Sequence, residues 1–465
     1  MLVRHRTTVG RIAEDCRGIL TVGDAATVIE TVSTDSRHPG ENGLFIPLRG
    51  VTFDGHDFIP DLAESQRIRS FLTMRGGYTE LAERTGISEI RCEDTLGALG
   101  ALASRHRDRI NPTIIGVTGT NGKTTTKELI HAIFSHRWSC HKNEKNYNNE
   151  IGVPMSLLCL TEDQEMAVIE MGMNHAGEID RLTRMVKPDS AVITSVGEGH
   201  LEFFGTVENV ALAKSEIMHG LPPGARIHLN SDTACVDLLR GKAQGLGLNV
   251  TTFGLGDEAE IRPSFYRLER GRVVVGYEGV EIAAALFGIH NVYNILAALS
   301  VALEYGIPPS EVRDALHDFE NLDGRSRIID GPCTVIDDTY NANPLSLAAA
   351  LRSVAEIFPR ARKIAILSDM KELGDAAPRC HEECGASVAR YGFHALLVWG
   401  QMARHYAAGG VSAGLVNDQV KVFDTKEDLV RHAASILQPD DVVLVKGSRS
   451  MKMEEVVQAI LGKGH

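Results

Sequence analysis

The chain lacks the features that mark several large classes of protein. Its eight cysteines form no Cys-x-x-Cys pair, and Cys380 and Cys384, which flank His381, lack the second pair of ligands that a zinc site needs. No apolar run is long enough to span a membrane, and residues 1–18 contain no hydrophobic segment typical of a signal peptide. We therefore expect a cytoplasmic protein, not inserted in a membrane, whose cysteines stay reduced and partly buried.

An excess of basic residues is also absent, since the formal net charge is −13. This charge argues against a nucleic-acid partner, which requires a basic face. An anionic small substrate is still compatible with it, because a local group of lysines, arginines and helix N-termini is enough to hold one. No internal repeat or low-complexity tract interrupts the sequence. Nothing in the sequence determines the oligomeric state, and we expect a monomer.

The residues that are present indicate an α/β protein of three domains. The 465 residues correspond to three domains of roughly 150 residues each. The 45 glycines favour an architecture with many tight turns between strands and helices. Composition and pattern predict domains at residues 1–111, 112–324 and 325–465. The first, with short apolar runs such as residues 43–48 between Gly- and Asp-rich turns, is predicted to be a small α/β domain.

The central and C-terminal parts alternate apolar β-branched runs with helical patterns, which indicates mostly parallel sheets covered by helices. The predicted strands of the central part are residues 113–118, 166–170 and 190–194, and its predicted helices are residues 123–136 and 291–305. The predicted strands of the C-terminal part are residues 334–337, 363–367, 395–399 and 441–445. We expect an ATPase-type central domain and a doubly wound, Rossmann-like C-terminal domain.

The segment after the first predicted central strand reads as a phosphate-binding loop. Glycines let backbone N–H groups turn toward an anion, and the helix N-terminus adds partial positive charge. Lys123 supplies a full charge for the β- and γ-phosphates, and the Thr124 hydroxyl is able to coordinate Mg²⁺. The strict pattern G-x-x-x-x-G-K-[ST] is missed, because Val117 stands where its first glycine belongs. A glycine-rich turn with a surface lysine is the alternative, and the flanking strand and helix favour the loop. The predicted nucleotide-binding residues here are Gly119, Thr120, Asn121, Gly122, Lys123, Thr124 and Thr125.

The loop and several other segments resemble one enzyme family. Thr-Gly-Thr-Asn-Gly-Lys-Thr-Thr at residues 118–125 resembles the phosphate loop of the Mur ligase superfamily, which builds the peptide stem of bacterial cell-wall precursors. Folylpolyglutamate and cyanophycin synthetases share this loop, so alone it does not determine the substrate. Asp-Ser-Arg at 35–37, Gly-Leu-Phe at 43–45 and Asp-Gly-His at 54–56 are similar to the N-terminal domain of the third- and fourth-step ligases. The segment Asn-Tyr-Asn-Asn-Glu-Ile-Gly-Val-Pro at 146–154 also resembles the family, and it follows at the distance along the chain that the family shows.

Three C-terminal segments narrow the resemblance to one branch. They are Asp-Asp-Thr-Tyr-Asn-Ala-Asn-Pro at 337–344, Asp-Met-Lys-Glu-Leu-Gly at 369–374 and Val-Lys-Gly-Ser-Arg-Ser at 445–450. They are similar to the ligases that join D-alanyl-D-alanine to UDP-N-acetylmuramoyl-tripeptide, and the resemblance covers nearly the whole chain. It implies that ATP and Mg²⁺ convert the tripeptide's terminal carboxylate into an acyl phosphate, which the dipeptide's amine attacks. Both steps gather negative charge, so cations must supply most of the stabilisation.

The resemblance also implies roles for individual residues. The implied catalytic residues are Lys123, Glu170, His200, Lys214 and Arg325, and the implied metal ligands are Thr124, Glu170, His200 and a carbamate formed on Lys214. A carbamate requires a neutral amine and hence a depressed lysine pKa. The implied nucleotide contacts outside the loop are Asn291, Asn294, Arg325, Asp338 and Tyr340. The implied substrate contacts are Ser36, Arg37, His56, Asn148, Asn149, Asn341, Asn343, Lys446, Ser448 and Arg449.

The residue types themselves leave simpler roles open for the catalytic candidates. Glu170 ends a predicted strand, where a carboxylate either enters the ligand crevice of an α/β sheet or terminates the strand or caps a helix. A lone histidine such as His200 is usually structural. Lys214 could be an exposed helical lysine beside Glu216. These three assignments therefore depend mainly on the resemblance.

The binding candidates have simpler alternatives as well. Asn291 could cap its helix, although its spacing from Asn294 puts both amides on one face. The basic residues of 446–449 could form a solvated surface cluster, and residues 54–56 could be a simple turn.

Two other functions remain to be weighed against the ligase of this branch. A ligase that adds diaminopimelate or lysine is disfavoured, because its Asp-Asn-Pro-Arg motif is absent. A non-catalytic nucleotide-binding subunit is disfavoured, because Lys123, Glu170 and His200 are all present. The third residue of the tripeptide, diaminopimelate or lysine, is not determined by the sequence.

Overall fold

Four β-sheets with helices packed against them build the protein, as seen in a computed structural model that describes residues 2–144, 146–320 and 324–462. The α/β class predicted from the sequence is confirmed. Within these ranges no helix combines the length and apolar character that crossing a membrane requires. All eight cysteines are free.

The N-terminal part is one mixed sheet with four helices. Its strands are β1 (Leu2–Thr8), β2 (Ile19–Val22), β3 (Val28–Ser33), β4 (Gly43–Phe45), β5 (Ser70–Thr73) and β6 (Ser88–Arg91), and its helices are α1 (Val9–Asp15), α2 (Ile59–Glu64), α3 (Thr79–Thr85) and α4 (Thr95–Ile110). The strand order is β1-β3-β4-β5-β6-β2, parallel in the middle and antiparallel at both edges. The Asp94 carboxylate caps α4, because it accepts hydrogen bonds from backbone N–H groups in the first turn of the helix.

The central part contains a fully parallel six-stranded sheet. Its strands are β7 (Thr113–Thr118), β8 (Cys140–Lys142), β9 (Met166–Glu170), β10 (Ser190–Ile193), β11 (Arg226–Asn230) and β12 (Asn249–Phe253), followed by β13 (Phe265–Glu269), β14 (Arg272–Tyr277) and β15 (Val280–Ala284). Its helices are α5 (Lys123–Ser135), α6 (Gly152–Leu157), α7 (Glu178–Val186), α8 (Leu201–Phe204), α9 (Val207–Ser215), α10 (Val236–Gly245), α11 (His290–Glu304) and α12 (Pro309–Leu316). The large sheet has the order β12-β11-β10-β7-β9-β8, and β13–β15 form a separate antiparallel sheet.

The C-terminal part is a second doubly wound sheet. Its strands are β16 (Arg327–Asp330), β17 (Thr334–Asp338), β18 (Lys363–Ser368), β19 (Ala395–Trp399), β20 (Val420–Phe423) and β21 (Val442–Lys446), and its helices are α13 (Pro344–Ile357), α14 (Ala377–Arg390), α15 (Ala403–Ser412), α16 (Lys426–Ile436) and α17 (Glu454–Ile460). The order is β16-β17-β21-β18-β19-β20, and only β16 is antiparallel. Short 3-10 helices occupy Gly55–Phe58, Glu216–Gly220, Gly374–Ala376, Asn417–Gln419 and Arg449–Met451.

The central sheet is buried on both faces, which explains why its strands are continuous apolar runs. Ile114 packs in the core on the side of α7, whereas Ile115 and Val117 pack in the opposite core with α5 and α11. Since neighbouring strands run parallel, the residues that follow β7, β9 and β10 meet at one edge. The polar residues of the site therefore come from the ends of these strands.

A pair of histidines lies where the N-terminal sheet meets α4. The rings of His5 and His106 are 4.5 Å apart in an edge-to-face arrangement. His106 Nε2 lies 2.9 Å from the carbonyl oxygen of Leu160 in the central part. His5 is 6% exposed, and its Nε2 has no hydrogen-bond partner. Burial first, and then the charges of His106 and Arg109, lower the pKa of His5 from 6.5 to about 4.

This lowered pKa predicts that acid weakens the fold through His5. Between pH 6.5 and about 4 the unfolded chain binds a proton at His5 that the folded chain excludes, so stability falls as pH falls through this window. The loss at the lower end is up to roughly 3 kcal/mol. Thermal unfolding at pH 7 and pH 4.5 should therefore show a smaller acid-induced drop in midpoint for His5→Gln than for the wild type. Substitution of the exposed His38 by Gln is the control, and an equal drop in His5→Gln and wild type would contradict the prediction.

Candidate active site

The phosphate loop depends on two glycines in backbone conformations that L-residues rarely adopt. Gly119 has φ +153° and Gly122 has φ +83°. A Cβ atom on Gly119 would lie 1.9 Å from Thr194 Oγ1, and one on Gly122 would lie 2.3 Å from Asn294 Oδ1. Glycine is therefore required at both positions by space as well as by conformation. Gly122 ends the loop as the residue before the first turn of α5.

The residues after β10 support the loop from beneath. Thr194 Oγ1 donates to the carbonyl of Asn121 at 2.5 Å, and the Asn121 N–H donates to Ser195 Oγ at 2.9 Å. The Thr120 N–H donates to the carbonyl of Ser195 at 2.7 Å. Sequence reasoning missed Thr194 and Ser195 as site residues. The available signal was their position, since polar residues end a buried strand of the parallel sheet there.

Two lysine amines converge on one carbonyl of the loop. Lys123 Nζ and Lys214 Nζ each donate to the Gly119 carbonyl at 2.9 Å. Lys214 is 2% exposed and lies at the end of α9, so the exposed helical lysine considered as an alternative is excluded. Burial, and secondly the charge of Lys123, place the pKa of Lys214 well below its usual value. Burial also lowers the pKa of Lys123.

Thr124 and Glu170 form a pair of oxygen donors beside these lysines. Thr124 Oγ1 donates to Glu170 Oε2 at 2.8 Å, and Glu170 is 2% exposed. Asn148 Nδ2 donates to the other carboxylate oxygen at 2.7 Å. Arg325 Nη2 donates to Thr124 Oγ1 at 3.0 Å. A carboxylate and a hydroxyl are donors that Mg²⁺ prefers.

These donors fit an ion shared between protein and phosphate. Within the described ranges no group of three or more His, Cys, Asp or Glu side chains is arranged to hold a metal alone. Mg²⁺ is usually bound by one or two carboxylates together with substrate phosphates and water. The Thr124–Glu170 pair beside the phosphate loop matches that requirement.

Asn143 fixes the main chain of Glu170. Its Oδ1 accepts from the Glu170 N–H at 2.8 Å, and its Nδ2 donates to the Glu170 carbonyl at 2.9 Å. Asn143 is itself fully buried, and its carbonyl accepts from Lys127 Nζ at 2.5 Å. The sequence carried no signal for this residue, which lies three positions before the matched segment at 146–154.

A cavity of about 850 Å³ lies beside the loop, between the central and C-terminal parts. The site residues predicted from the sequence that line it are Asn121, Gly122, Thr125, Asn291, Asn294, Arg325, Asp338, Tyr340, Asn341, Asn343 and Lys446. Asn291 is buried, and its Oδ1 accepts from Asn294 Nδ2 at 2.8 Å. Helix α11 has no side-chain cap, so Asn291 is not its N-cap. The two amides thus form one buried unit at the cavity.

The C-terminal wall of the cavity carries a buried ion pair. Lys446 Nζ donates to Asp338 Oδ2 and, at 2.9 Å, to the carbonyl of Asn341. Ser326 N–H donates to Asp338 Oδ1 at 3.0 Å. Lys446 is 3% exposed, which excludes a solvated surface role for this residue. Arg449, by contrast, is exposed and paired with Glu454.

Side chains from both walls touch across the cavity. Asn121 and Asn343 exchange two amide hydrogen bonds of 3.0 and 2.7 Å, and Asn343 is also the N-cap of α13. The Arg325 guanidinium lies 3.9 Å from the ring centroid of Tyr340. Because Arg325 also reaches Thr124, the two parts meet at the phosphate loop.

His200 contacts the C-terminal part of the chain. Its Nδ1 is 2.7 Å from Glu372 Oε2 of the C-terminal part. In the portion of the chain that the structure describes, no hydrogen bond or ion pair joins His200 to Glu170. The pKa of Glu372 is lowered first by its contact with His200.

Comparison with known proteins places this architecture in a family. The sequence profile of the Mur ligase middle domain matches residues 117–302, and that of the Mur ligase glutamate ligase domain matches residues 324–449. The UDP-N-acetylmuramoyl-tripeptide–D-alanyl-D-alanine ligase of Bacillus subtilis is 34% identical over 98% of this chain and 98% of its own length. The chain belongs to the Mur ligase family, as its resemblance predicted.

Solved structures of MurF enzymes share the whole fold of this Mur ligase. A crystal structure of MurF from Acinetobacter baumannii covers 99% of this chain and 100% of its own, with 28% identity and a TM-score of 0.91. A MurF ligase from Thermotoga maritima in complex with ADP covers 93% of this chain and 97% of its own, with 26% identity and a TM-score of 0.82.

The substrate candidates of the N-terminal part are separate from the large cavity. Arg37 is 79% exposed, pairs with Asp35 at 2.8 Å and lines a cavity of about 600 Å³ together with Arg67 and Arg69. Ser36 is half-buried beside it. His56 is fully buried, with Nδ1 2.6 Å from Asp54 and Nε2 accepting from a backbone N–H. This placement supports the turn role that the sequence left open for residues 54–56.

Two further candidates of this Mur ligase already hold backbone groups. Asn149 Oδ1 accepts from the N–H groups of Ile151 and Gly152 at the start of α6. Ser448 is buried, and its Oγ accepts from the Lys371 N–H at 2.8 Å. Their contact with a substrate stays a prediction.

Proposed function

We propose that the protein is an ATP-dependent ligase that joins D-alanyl-D-alanine to UDP-N-acetylmuramoyl-tripeptide. The reaction takes place in the cytoplasm and yields the pentapeptide precursor of peptidoglycan. The observation that carries this function is the phosphate loop, contacted by Arg325 and Asn343 from the C-terminal part. A nucleotide held there has its γ-phosphate at the junction of two domains, where a carboxylate and an amine can approach it. Relatives that match over nearly the full length carry this activity in their names.

The residues around the loop suit transfer of a phosphoryl group to a carboxylate. Lys123 and Arg325 place positive charge where the γ-phosphate and its oxygens gather negative charge. Lys123 Nζ donates to two loop carbonyls at 2.9 and 3.2 Å, so its amine lies in the loop that would hold the phosphates. Mg²⁺, held by Thr124 and Glu170, would neutralise the phosphate oxygens. Asn148 and Asn143 keep Glu170 in place.

Lys214 is proposed to act as a carbamate. Burial, and secondly the charge of Lys123, lower the pKa of Lys214 well below its usual value, which increases the share of the neutral amine that reacts with CO₂. The product carries a negative charge next to Lys123, which offsets the repulsion between the two lysines.

Phosphate release with a panel of amine acceptors tests the proposed substrate. Purified enzyme, ATP, Mg²⁺ and UDP-N-acetylmuramoyl-tripeptide are mixed with D-alanyl-D-alanine, D-alanine, lysine or diaminopimelate. Only the dipeptide should stimulate release strongly. A parallel assay replaces the tripeptide substrate with UDP-N-acetylmuramoyl-dipeptide. Phosphate release that depends on lysine or diaminopimelate in this second assay, and not on D-alanyl-D-alanine in the first, would assign the chain to an earlier step.

Replacement of Asn143 by alanine should lower the rate through Glu170. The main-chain groups of Glu170 lose both partners, so the carboxylate loses its alignment, and kcat should fall roughly 10- to 100-fold. Steady-state phosphate release with the proposed substrates measures the effect. Asn249→Ala, which removes one exposed side-chain hydrogen bond to the Gly224 carbonyl, is the matched control and should retain full activity. A wild-type kcat in Asn143→Ala would show that Glu170 needs no such support.

A further inference from the structure

Two turns from different domains face each other beside the active site. One follows β10, contains His200 and leads into α8 with Glu202, and the other follows β18, contains Glu372 and leads into the 3-10 helix that begins at Gly374. The Glu372 carboxylate lies 2.7 Å from His200 Nδ1, and the Glu372 carbonyl accepts from the Glu202 N–H at 3.0 Å. The same residue therefore meets the first turn with both its side chain and its main chain.

Both partners hold an unusual backbone conformation. His200 has φ +60° and Glu372 has φ +64°, in the left-handed region that residues other than glycine seldom adopt. Such conformations cost free energy and persist only where the surroundings impose them, which is common at functional sites. Here the two strained residues are in contact with each other, across a domain boundary.

The surrounding residues show that the two turns are shaped to fit. Gly374 has φ +52°, and a Cβ atom at this position would lie 3.1 Å from the Cα of Glu202. Arg379 of α14 donates at 2.8 Å to Glu198, which lies two positions before His200 in the chain. Near His200, the C-terminal part is thus held by a backbone hydrogen bond, a close approach of the main chains and an ion pair.

We propose that Glu372 is a positioning residue for the ligation reaction, which orients the His200 ring from the C-terminal domain. This inference rests on the proposed function. The carboxylate would favour the proton at Nδ1, which leaves Nε2 as the unprotonated nitrogen, the form in which a histidine binds a metal ion. Nδ1 is within 2.7 Å of the carboxylate but out of line for a full hydrogen bond, as expected for a contact that tightens when the reactants bind. His200 is then ready only when the C-terminal domain is docked.

The orientation can be measured without any reactant. In ligand-free protein labelled with ¹⁵N-histidine, near pH 8 where a free imidazole is neutral, the His200 ring should be in the Nδ1–H tautomer. His200→Asn identifies its signals. Glu372→Ala should shift the ring toward the Nε2–H form. Glu372→Gln, which keeps an oxygen acceptor, should restore the Nδ1–H form.

The consequence for the reaction is a changed metal requirement. The resemblance implies that His200 is a Mg²⁺ ligand, and Glu372 orients it. Glu372→Ala should therefore raise the Mg²⁺ concentration for half-maximal phosphate release about tenfold or more. The KM for the dipeptide should change less than about twofold, because Glu372 acts on His200 and not on the acceptor. Glu455→Ala is the matched control, since it removes an exposed carboxylate paired with Lys426 in the same domain.

The outcomes separate this role from a structural one. A wild-type tautomer in Glu372→Ala, or an unchanged Mg²⁺ requirement, overturns the proposal, as does an equal effect in Glu455→Ala. If Glu372→Ala does not fold, Glu372→Gly, which removes the acceptor and suits the positive φ angle of this residue, must raise the Mg²⁺ requirement severalfold, and a wild-type requirement overturns the proposal. Failure of the wild type to use the dipeptide would refute the proposed function but leave the tautomer result standing.

Discussion

Replacement of Lys123 by alanine should lower phosphate release by at least about 10³-fold, because one cationic contact to a transferring phosphoryl group contributes on this scale. The amine lies 2.9 Å from the Gly119 carbonyl, at the mouth of the loop. Its removal leaves the γ-phosphate charge to Arg325 and the metal. Steady-state phosphate release with ATP, UDP-N-acetylmuramoyl-tripeptide and D-alanyl-D-alanine measures the effect.

The control for this variant is Lys421→Ala, which removes a partly exposed lysine paired with Asp418 in the C-terminal part. It should retain the wild-type rate. Lys123→Ala should unfold at a temperature close to that of the wild type, since the lost contacts are to loop carbonyls. Substantial turnover by a folded Lys123→Ala enzyme would remove the lysine from the mechanism.

Replacement of Lys214 by alanine should abolish activity, and short carboxylates such as formate or acetate should restore part of it. The amine is buried, and its pKa is held far below the usual value first by burial and then by Lys123. A carbamate would put a carboxylate-like group at this position, which a small anion can replace once the side chain is gone. We expect a loss of about 10³-fold or more and a recovery that saturates with carboxylate concentration.

Two comparisons make the rescue specific. Lys187→Ala, which removes an exposed lysine paired with Asp108, should neither lose activity nor respond to formate. Chloride at the same concentration should not rescue Lys214→Ala. A complete loss of activity with no recovery in any short carboxylate would contradict the carbamate.

Local patterns predicted much of the central part correctly. The run 113–118, the loop and the helix from Lys123 are found as β7, the turn and α5, because β-branched residues, glycines and helical spacing each act over a few residues. The C-terminal strands begin within one residue of their predicted positions for the same reason. The sheet β13–β15 was not predicted. Strands β16 and β20 at the edges of the C-terminal sheet were not predicted either, because they are partly exposed and lack the continuous apolar run of a buried strand.

The parts of the site that the sequence did not reveal depend on distant contacts. Asn143 meets Glu170 across 27 positions, and Glu372 meets His200 from the C-terminal part of the chain. No spacing rule connects such residues, because only the folded chain brings them together. The positive φ angles of His200 and Glu372 were not predicted either, since residues other than glycine seldom adopt that conformation and nothing in the sequence marks these two. The family resemblance pointed to His200 and to the segment that contains Glu372, but only the structure shows that the two residues are in contact.

The most direct test of the central claim follows oxygen from the carboxylate. The tripeptide substrate is labelled with ¹⁸O in its terminal carboxylate and incubated with enzyme, ATP, Mg²⁺ and D-alanyl-D-alanine. Mass spectrometry should find the pentapeptide product and one ¹⁸O atom in each phosphate released, because the acyl phosphate loses a bridging carboxylate oxygen to phosphate. Unlabelled phosphate, or phosphate release without the pentapeptide, would contradict ligation through an activated carboxylate.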